Sequence, residues 1–563
     1  MQSILERIYG REKGGQAFSR LTALMKDFPP VRPARDPGEL FSPSDAVLIT
    51  YGDSLLSTKE PPLQTLHRFA REWLAGVFSG IHVLPFFPYS SDDGFSVTDF
   101  LAVRPDLGTW EDIRALAGDF GLMADLVANH VSARSGWFRR YLAGEKGFTD
   151  LAIEVDPAAD LSAVVRPRAL PLLTAFEKAS GSRVHLWTTF SADQIDLNYR
   201  GLDVLERMVR ALLFYVSQGA RIIRLDAIAY LWKEIGTPCI HLPETHDMVR
   251  LFRAILEHAA PGTILITETN VPHDENIRYF GSGRDEAHMV YNFTLPPLLL
   301  HALATADARI LSGWAKTLKT PSPQTAFFNF TASHDGIGVR PLEGILTPSE
   351  IDRLADRVVR NGGKVSSRRR SDGSESPYEL NITYLDALKS PEMAQDPFHV
   401  SRFLASQAVA LALPGVPAVY IHSFLGSRNW AEGVRRTGRA RSINREKLSA
   451  EAVLAELADP LSLRARIFHP YRKMLRIRTR QPAFHPTASA RVLDLDRRVF
   501  ALERTSAEQT LLALTNLSQE ALSLFLPPRK GGHPFIDLLS PQAIPQPEIP
   551  MPPYATRWLS DLD

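Results

Sequence analysis

From Ala46 onward two kinds of apolar pattern alternate along the chain. Short, continuously apolar runs recur eight times: AVLITYGD, GIHVLPFFPYS, LMADLVANH, RIIRLDAIAY, TILITETN, HMVYNF, TAFFNFTASHD and VPAVYIHSFLG. Between several of them lie longer segments with apolar positions at helical spacing: LQTLHRFAREWLAG, WEDIRALAGDFG, LERMVRALLFYVSQG, VRLFRAILEHA and SRFLASQAVALAL. Strands that are apolar on both faces belong in a sheet covered on both sides, as parallel sheets with helical crossovers are. The pattern predicts an eight-stranded parallel (β/α)8 barrel. In that fold the chemistry lies at the C-terminal ends of the strands.

Four regions do not fit the repeat. Residues 1–45 open with Ile4, Ile8, Tyr9 and then Phe18, Leu21, Leu24 and Met25 at helical spacing, followed by the proline-rich FPPVRPARDPGEL. This reads as a helical extension capping the barrel, ending in an extended connector. Residues 128–198 are too long for a βα loop and read as an inserted domain. Residues 337–389, rich in Gly, Ser and Arg, read as a second insertion. From 478 to 563 short alternating runs (RVLDLD, VFALERT, TLLALTNLS, LSLFLP) predict an antiparallel β domain. The barrel itself is then 46–127, 199–336 and 390–477.

Polar residues appear where several apolar runs end. In RIIRLDAIAY, Arg224 and Asp226 are two apart and so share a face of the strand. A buried carboxylate is costly unless paired, and Arg224 would hold Asp226 ionised. By itself the pair reads as readily as a structural ion pair. Other runs end in the same way: DLVANH over Asp125 to His130, ITETN with Glu268, and TASHD with His334 and Asp335.

Composition narrows the field. A chain of 563 residues exceeds one compact core and implies roughly two to four domains. Net charge is +1, which gives no electrostatic case for nucleic acid or an anionic membrane. The lone Cys239 cannot form an intrachain disulfide and reads as a small buried hydrophobe. No apolar run reaches membrane-spanning length, and the charged MQSILERIYGREKGG is no signal peptide. A cytoplasmic enzyme is the expectation.

With these blocks assembled, DLVANH, RIIRLDA, ITETN and TASHD resemble, in order, the four signature blocks of the α-amylase superfamily of retaining α-glucosidic enzymes, and QIDLN (194–198) resembles its fifth. LPFFPYSSDDGFSVTDF, RLDAIAYLWKEIGT, LPPLLLHAL, HDGIGV, LPGVPAVY and ARSINR resemble its sucrose-phosphorylase-like branch, over roughly residues 46 to 477. The segment YLWKEIGTPCIHLPETH resembles the version in glucosylglycerate phosphorylases.

Retaining glycoside chemistry requires an ionised nucleophile and a protonated acid roughly 5 to 5.5 Å apart. The resemblance implies Asp226 as nucleophile, with Arg224 keeping it charged, Glu268 as acid/base and Asp335 as a third carboxylate gripping sugar hydroxyls. Burial near Ile266 and Tyr291 would raise the Glu268 pKa. By the same resemblance His130 and His334 bond the glucosyl ring, Asp92 and Arg441 clasp its far hydroxyls, and Phe95 is an aromatic platform. Tyr230, Tyr378 and Glu379 join the substrate contacts. Phosphate needs cationic donors on the acceptor side, for which Arg166 and Arg168 in RPR and the run Arg368 to Arg370 are candidates. Asn129 matches a calcium ligand of many amylases, but no second cluster of hard oxygen ligands is visible, and no metal or cofactor is expected.

Three positions depart from the sucrose-cleaving members: Phe100, Val165 and Glu379. They are expected near the leaving group and argue against sucrose. The reading is a phosphorylase that passes an α-glucosyl group through Asp226 to inorganic phosphate. D-Glycerate ranks first as aglycone, ahead of a fructose phosphate and fructose. Glu379 would repel an anionic aglycone, so it is expected to face glucose hydroxyls or pair with an arginine of an insertion. The alternatives are a glucosidase or transglucosidase on the same scaffold and a non-catalytic binding module. A monomer or homodimer acting on small carbohydrates is expected.

Overall fold

The computed structural model describes all residues except 30, 32–37, 168–169, 370–374, 394, 527–533, 541–542, 545–546 and 561–563. The centre is a closed parallel barrel of β1 (Val47–Thr50), β2 (Gly80–Val83), β3 (Gly121–Leu126), β4 (Ala220–Leu225), β5 (Ile264–Thr267), β6 (Met289–Tyr291), β7 (Ala326–Phe330) and β8 (Val416–Tyr420). Each strand pairs with the next, and β1 pairs with β8 to close the ring. β1, β2, β5, β6, β7 and β8 are buried along their whole length, which accounts for their unbroken apolar sequences.

Register decides where the chemistry falls. Asp125 on β3 lies opposite Arg224 on β4, and Leu225 lies opposite Thr267 on β5. Asp226 and Glu268, one residue further along each strand, therefore emerge side by side at the C-terminal rim.

Two stretches differ from the sequence pattern. Two helices, Leu295–Thr305 and Arg309–Ala315, lie between β6 and β7, where the pattern showed no crossover. The first is buried nearly all round, so it carries no polar face and no helical period to read. The run VPAVYIHSFLG divides after Tyr420, and Ile421–Phe424 is a helical turn.

After β3, strand His130–Ser132 pairs antiparallel with Gln194–Asp196, and Leu173–Glu177 pairs with Arg183–Trp187. Cys239 is buried with Val155, Leu172 and Trp187 in a small apolar cluster beside them. After β7, helix Pro348–Arg360 precedes two strands of a three-stranded antiparallel sheet made by Ile337–Gly338, Lys364–Arg369 and Glu375–Asn381. Beyond helix Leu463–Arg478 the chain forms a six-stranded antiparallel sheet. Buried Arg504 ties that sheet to the barrel by donating to the Ala412 carbonyl at 2.7 Å, while buried Arg478, at the end of the helix before it, donates to the Leu411, Asp45 and Gly415 carbonyls.

The N-terminal helices Gln2–Tyr9 and Arg11–Lys26 lie on the outer barrel helices. Arg7 pairs with Asp247 at 2.7 Å, Arg20 with Asp203 at 2.5 Å, and the Tyr9 hydroxyl donates to the Tyr199 carbonyl at 2.7 Å. Gly14 lets the two helices meet, since a Cβ there would stand 2.8 Å from the Glu6 backbone. Among the described residues no helix is long and apolar enough to cross a membrane.

Candidate active site

A cavity of about 100 Å³ opens at the C-terminal rim of the barrel. Its floor is an ionic ladder. His82 Nε2 lies 2.6 Å from Asp125 Oδ2, Asp125 Oδ1 pairs with Arg224 Nη1, and the same Nη1 lies 2.7 Å from Asp226 Oδ1. All but Asp226 are almost wholly buried, so Arg224 is fixed from behind by one carboxylate while it presents its charge to another. The rings of Phe95 and Tyr291 flank its guanidinium at 5.5 and 5.4 Å.

Glu268 sits in a different environment. Its Oε2 accepts from the Ala227 backbone N–H at 3.0 Å and lies 3.8 Å from Arg224 Nη2. Ala227 adopts a left-handed conformation (φ 49°) directly after Asp226. Burial pushes the Glu268 carboxyl up to about 7; Arg224 opposes the shift, and the charges of Asp226 and Asp335 add to it. Burial also lifts Asp226, but Arg224 opposes this at hydrogen-bond distance. The nearer guanidinium contact makes Asp226 the carboxylate and leaves the proton to Glu268.

The far end of the cavity is knitted by two arginines. Arg441 binds Glu379 through two bonds, Nε at 3.0 Å and Nη2 at 2.6 Å, and reaches Asp335 Oδ1 at 2.5 Å with Nη1. Arg445 joins Asp93 at 2.5 Å, the His334 carbonyl at 2.7 Å and Asp335 at 3.6 Å. Burial would raise the Asp335 carboxyl, but Arg441 first and Arg445 with it hold it well below the usual carboxylate range. Burial lowers His334 to about 3, so its ring is neutral.

Asp92 and Asp93 both occupy the left-handed region (φ 55° and 49°) in a turn whose third residue, Gly94, packs on Pro85; a Cβ there would stand 2.7 Å from the Pro85 carbonyl. The turn sends Asp92 to the cavity wall, where Gln194 Nε2 approaches it at 3.4 Å, and sends Asp93 to Arg445. Phe95 stacks on His334 with centroids 4.9 Å apart and planes at 8°. His130 Nε2 bonds the Phe95 carbonyl at 2.8 Å.

The structure thus brings Asp92, Phe95, His130, Arg224, Asp226, Tyr230, Glu268, His334, Asp335, Tyr378, Glu379 and Arg441 to one cavity wall. A wider outer chamber of about 360 Å³ continues from it past Pro167, Tyr378 and Arg441 to Ser366, Ser367 and Arg439.

Other expectations fall elsewhere. Phe100 does not line the cavity; it is buried against Trp137 at 5.0 Å, in a separate hollow below the inserted segment. Val165 is tied by its backbone N–H to the Pro238 carbonyl, and Pro167 is the neighbour that reaches the cavity. Glu379 does pair with an arginine, but with Arg441 after β8 and not with one from an insertion. Arg166 is exposed, and Arg368 is engaged by Glu343. Arg168 and Arg370 lie outside the described residues. Asn129 turns its side-chain oxygen to the Lys233 ammonium at 2.7 Å, a cation that Asp196 also binds at 2.5 Å.

Several residues of the site carried no signal of their own in the sequence. Arg445 lies four residues beyond Arg441 and is held over the same carboxylate by the 3-10 turn Ala440–Asn444. His82 braces the ladder from β2. Phe190 contacts both His130 and Tyr230 with ring centroids 5.4 and 5.5 Å away.

Comparison with known proteins places this geometry. The family described as "Alpha amylase, catalytic domain" matches residues 76–335. A glucosylglycerate phosphorylase of Spirochaeta thermophila is 52% identical over 525 residues, covering 92% of this chain and 89% of that protein. A sucrose phosphorylase of Agrobacterium vitis is 34% identical, covering 78% of this chain and 88% of its own. Among solved structures, sucrose 6F-phosphate phosphorylase from Thermoanaerobacter thermosaccharolyticum superimposes with a TM-score of 0.74 at 26% identity, covering 84% of this chain and 94% of that one.

Proposed function

The chain belongs to the sucrose-phosphorylase-like branch of the α-amylase superfamily, and on that premise we propose that it is a retaining glucoside phosphorylase whose donor is 2-O-α-D-glucosyl-D-glycerate. The observation that carries the chemistry is the division of labour between two adjacent carboxyls. Asp226 is ion-paired to Arg224 at 2.7 Å, and Glu268 is pushed up to about 7 by burial.

The reaction follows as two displacements. An Asp226 oxygen attacks the anomeric carbon while the bond to the aglycone oxygen breaks and Glu268 gives that oxygen its proton. Glycerate leaves and a glucosyl ester remains. A phosphate oxygen then attacks the same carbon, the ester bond breaks, and Glu268 takes the phosphate proton. Two inversions give net retention and release α-glucose 1-phosphate. Arg224 balances the Asp226 charge before the ester forms and after it breaks.

Glucose is held by the paired end of the cavity. Asp335 and Arg441 face its hydroxyls, Asp92 and His130 the opposite edge, and Phe95 the ring face. Glu379 serves to orient Arg441. Phosphate is the co-substrate, and every acid, base and nucleophile the reaction needs is a side chain of this chain. Glycerate is favoured over fructose because the relative with the higher identity is a glucosylglycerate phosphorylase and the sucrose phosphorylase is more distant.

The test is synthesis from α-glucose 1-phosphate with D-glycerate, fructose 6-phosphate and fructose at equal concentration. Glycerate is expected to lead. A tenfold lead for fructose, about 1.4 kcal/mol of transition-state binding, would assign the chain to sucrose instead.

A further inference from the structure

An acidic aglycone and phosphate both need a cation on the acceptor side of Glu268, and most of the arginines at the cavity are already committed. Arg224 serves Asp125 and Asp226, Arg441 serves Asp335 and Glu379, and Arg445 serves Asp93. Arg340 is different. It stands behind the lining residue Tyr230, makes no ion pair with a carboxylate among the described residues, and has its Nε buried without a hydrogen-bond partner.

Its position is set by the second insertion. Gly338 pairs with Glu379, and the Val339 N–H donates to the Tyr378 carbonyl at 3.1 Å. Arg340, the next residue, opens a 3-10 turn beside Tyr378 and extends to the Tyr230 phenol. Tyr230 and Tyr378 both line the cavity, as does Asn270. The Asn270 side-chain oxygen is buried without a partner and can accept only from a hydroxyl, such as one of glycerate or of protonated phosphate, while its NH2 group is the part that can face an anion. A Cβ on Gly338 would stand 2.4 Å from the Asn270 amide, so the glycine lets that amide and the Arg340 loop close on the same space.

We propose that Arg340, with Tyr230 and the Asn270 amide, is the anion-binding element of the acceptor side. It receives the carboxylate of the departing aglycone and then the phosphate that replaces it. A guanidinium with no carboxylate of its own, facing an otherwise uncompensated anion, supplies strong, directional charge-assisted bonds. Arg340 is thus a specificity-determining residue, and the assignment rests on the phosphorylase reading above.

The experiment compares D-glycerate with glycerol, its uncharged counterpart, as acceptors from α-glucose 1-phosphate in the full-length wild type, Arg340→Gln and Arg340→Lys. Effects on the shared donor cancel in the ratio of kcat/KM for the two acceptors. That ratio is expected to fall about tenfold or more in Arg340→Gln and to recover in part in Arg340→Lys. In phosphorolysis, the KM for phosphate is expected to rise in Arg340→Gln more than that for donor. An equal loss for both acceptors, or an unchanged ratio with an unchanged phosphate KM, overturns the assignment and shows Arg340 to be structural. If the wild type ignores glycerate while Arg340→Gln still raises the phosphate KM, the residue's role stands and the glycerate reading falls.

Discussion

The two ends of the cavity differ in how their arginines are committed. At the glucose end the charged groups interlock: Arg441 grips Glu379 and Asp335, and Arg445 grips Asp93 while standing near Asp335. At the end proposed above for the acceptor, among the described residues, Arg340 has no carboxylate and its Nε no acceptor. The difference teaches how one site serves two partners. A sugar that is bound in every turnover rewards a preorganised, ion-paired wall, because its charged groups need no rearrangement at the moment of reaction. An end that must accept glycerate, release it and admit phosphate works with donors whose bonds each incoming anion completes.

The boundary between the ends is the carboxyl pair, and breaking it has the largest effect. Asp226→Asn removes the proposed nucleophile, and α-glucose 1-phosphate formation is expected to drop by about 10⁴-fold or more. Retained activity would mean that the glucose end works without a nucleophile and would refute the assignment.

In the proposed mechanism Glu268 must be protonated to release the aglycone. With its pKa at about 7, kcat/KM for phosphorolysis is expected to fall as pH rises above about 7, because deprotonation removes the acid. Glu268→Gln should lose about 10² to 10⁴-fold on glucosylglycerate and far less on α-glucosyl fluoride, whose leaving group needs little protonation. An unchanged alkaline limb in Glu268→Gln would assign that ionisation to another group.

The paired wall makes its own prediction. Arg441→Met strands the buried Glu379 and the half-buried Asp335 without their main cation, which costs about 3 kcal/mol of stability. It should weaken donor kcat/KM about 100-fold while leaving the glycerate-to-glycerol ratio near that of the wild type. Thermal unfolding and acceptor kinetics on the same preparation check both. A large change in that ratio would show that the two ends are not separable.

What was legible in the sequence follows the same division. Buried charges are rare and costly, so Asp226, Glu268 and Asp335 stand out as carboxyls at the ends of apolar runs. The barrel was legible because strands buried on both faces are apolar without interruption. Helix Leu295–Thr305 was not, since burial on all sides erases the helical period. Phe100 was expected at the leaving group, but a position along the chain does not give the direction of a side chain, and its ring turns to Trp137. Arg340 looked like any loop arginine. Its distinction lies in what does not face it, and that depends on Tyr230, Asn270 and Tyr378, which come from three different segments.

The claim that Asp226 passes glucose to phosphate and not to water is tested most directly by incubating the enzyme with 2-O-α-D-glucosyl-D-glycerate, with and without inorganic phosphate, and quantifying all products. With phosphate, glycerate and α-glucose 1-phosphate should appear in equal amounts and free glucose only slowly; without it, donor consumption should fall by orders of magnitude. Equal donor consumption in both, with free glucose as the product, would contradict the account and make the enzyme a hydrolase.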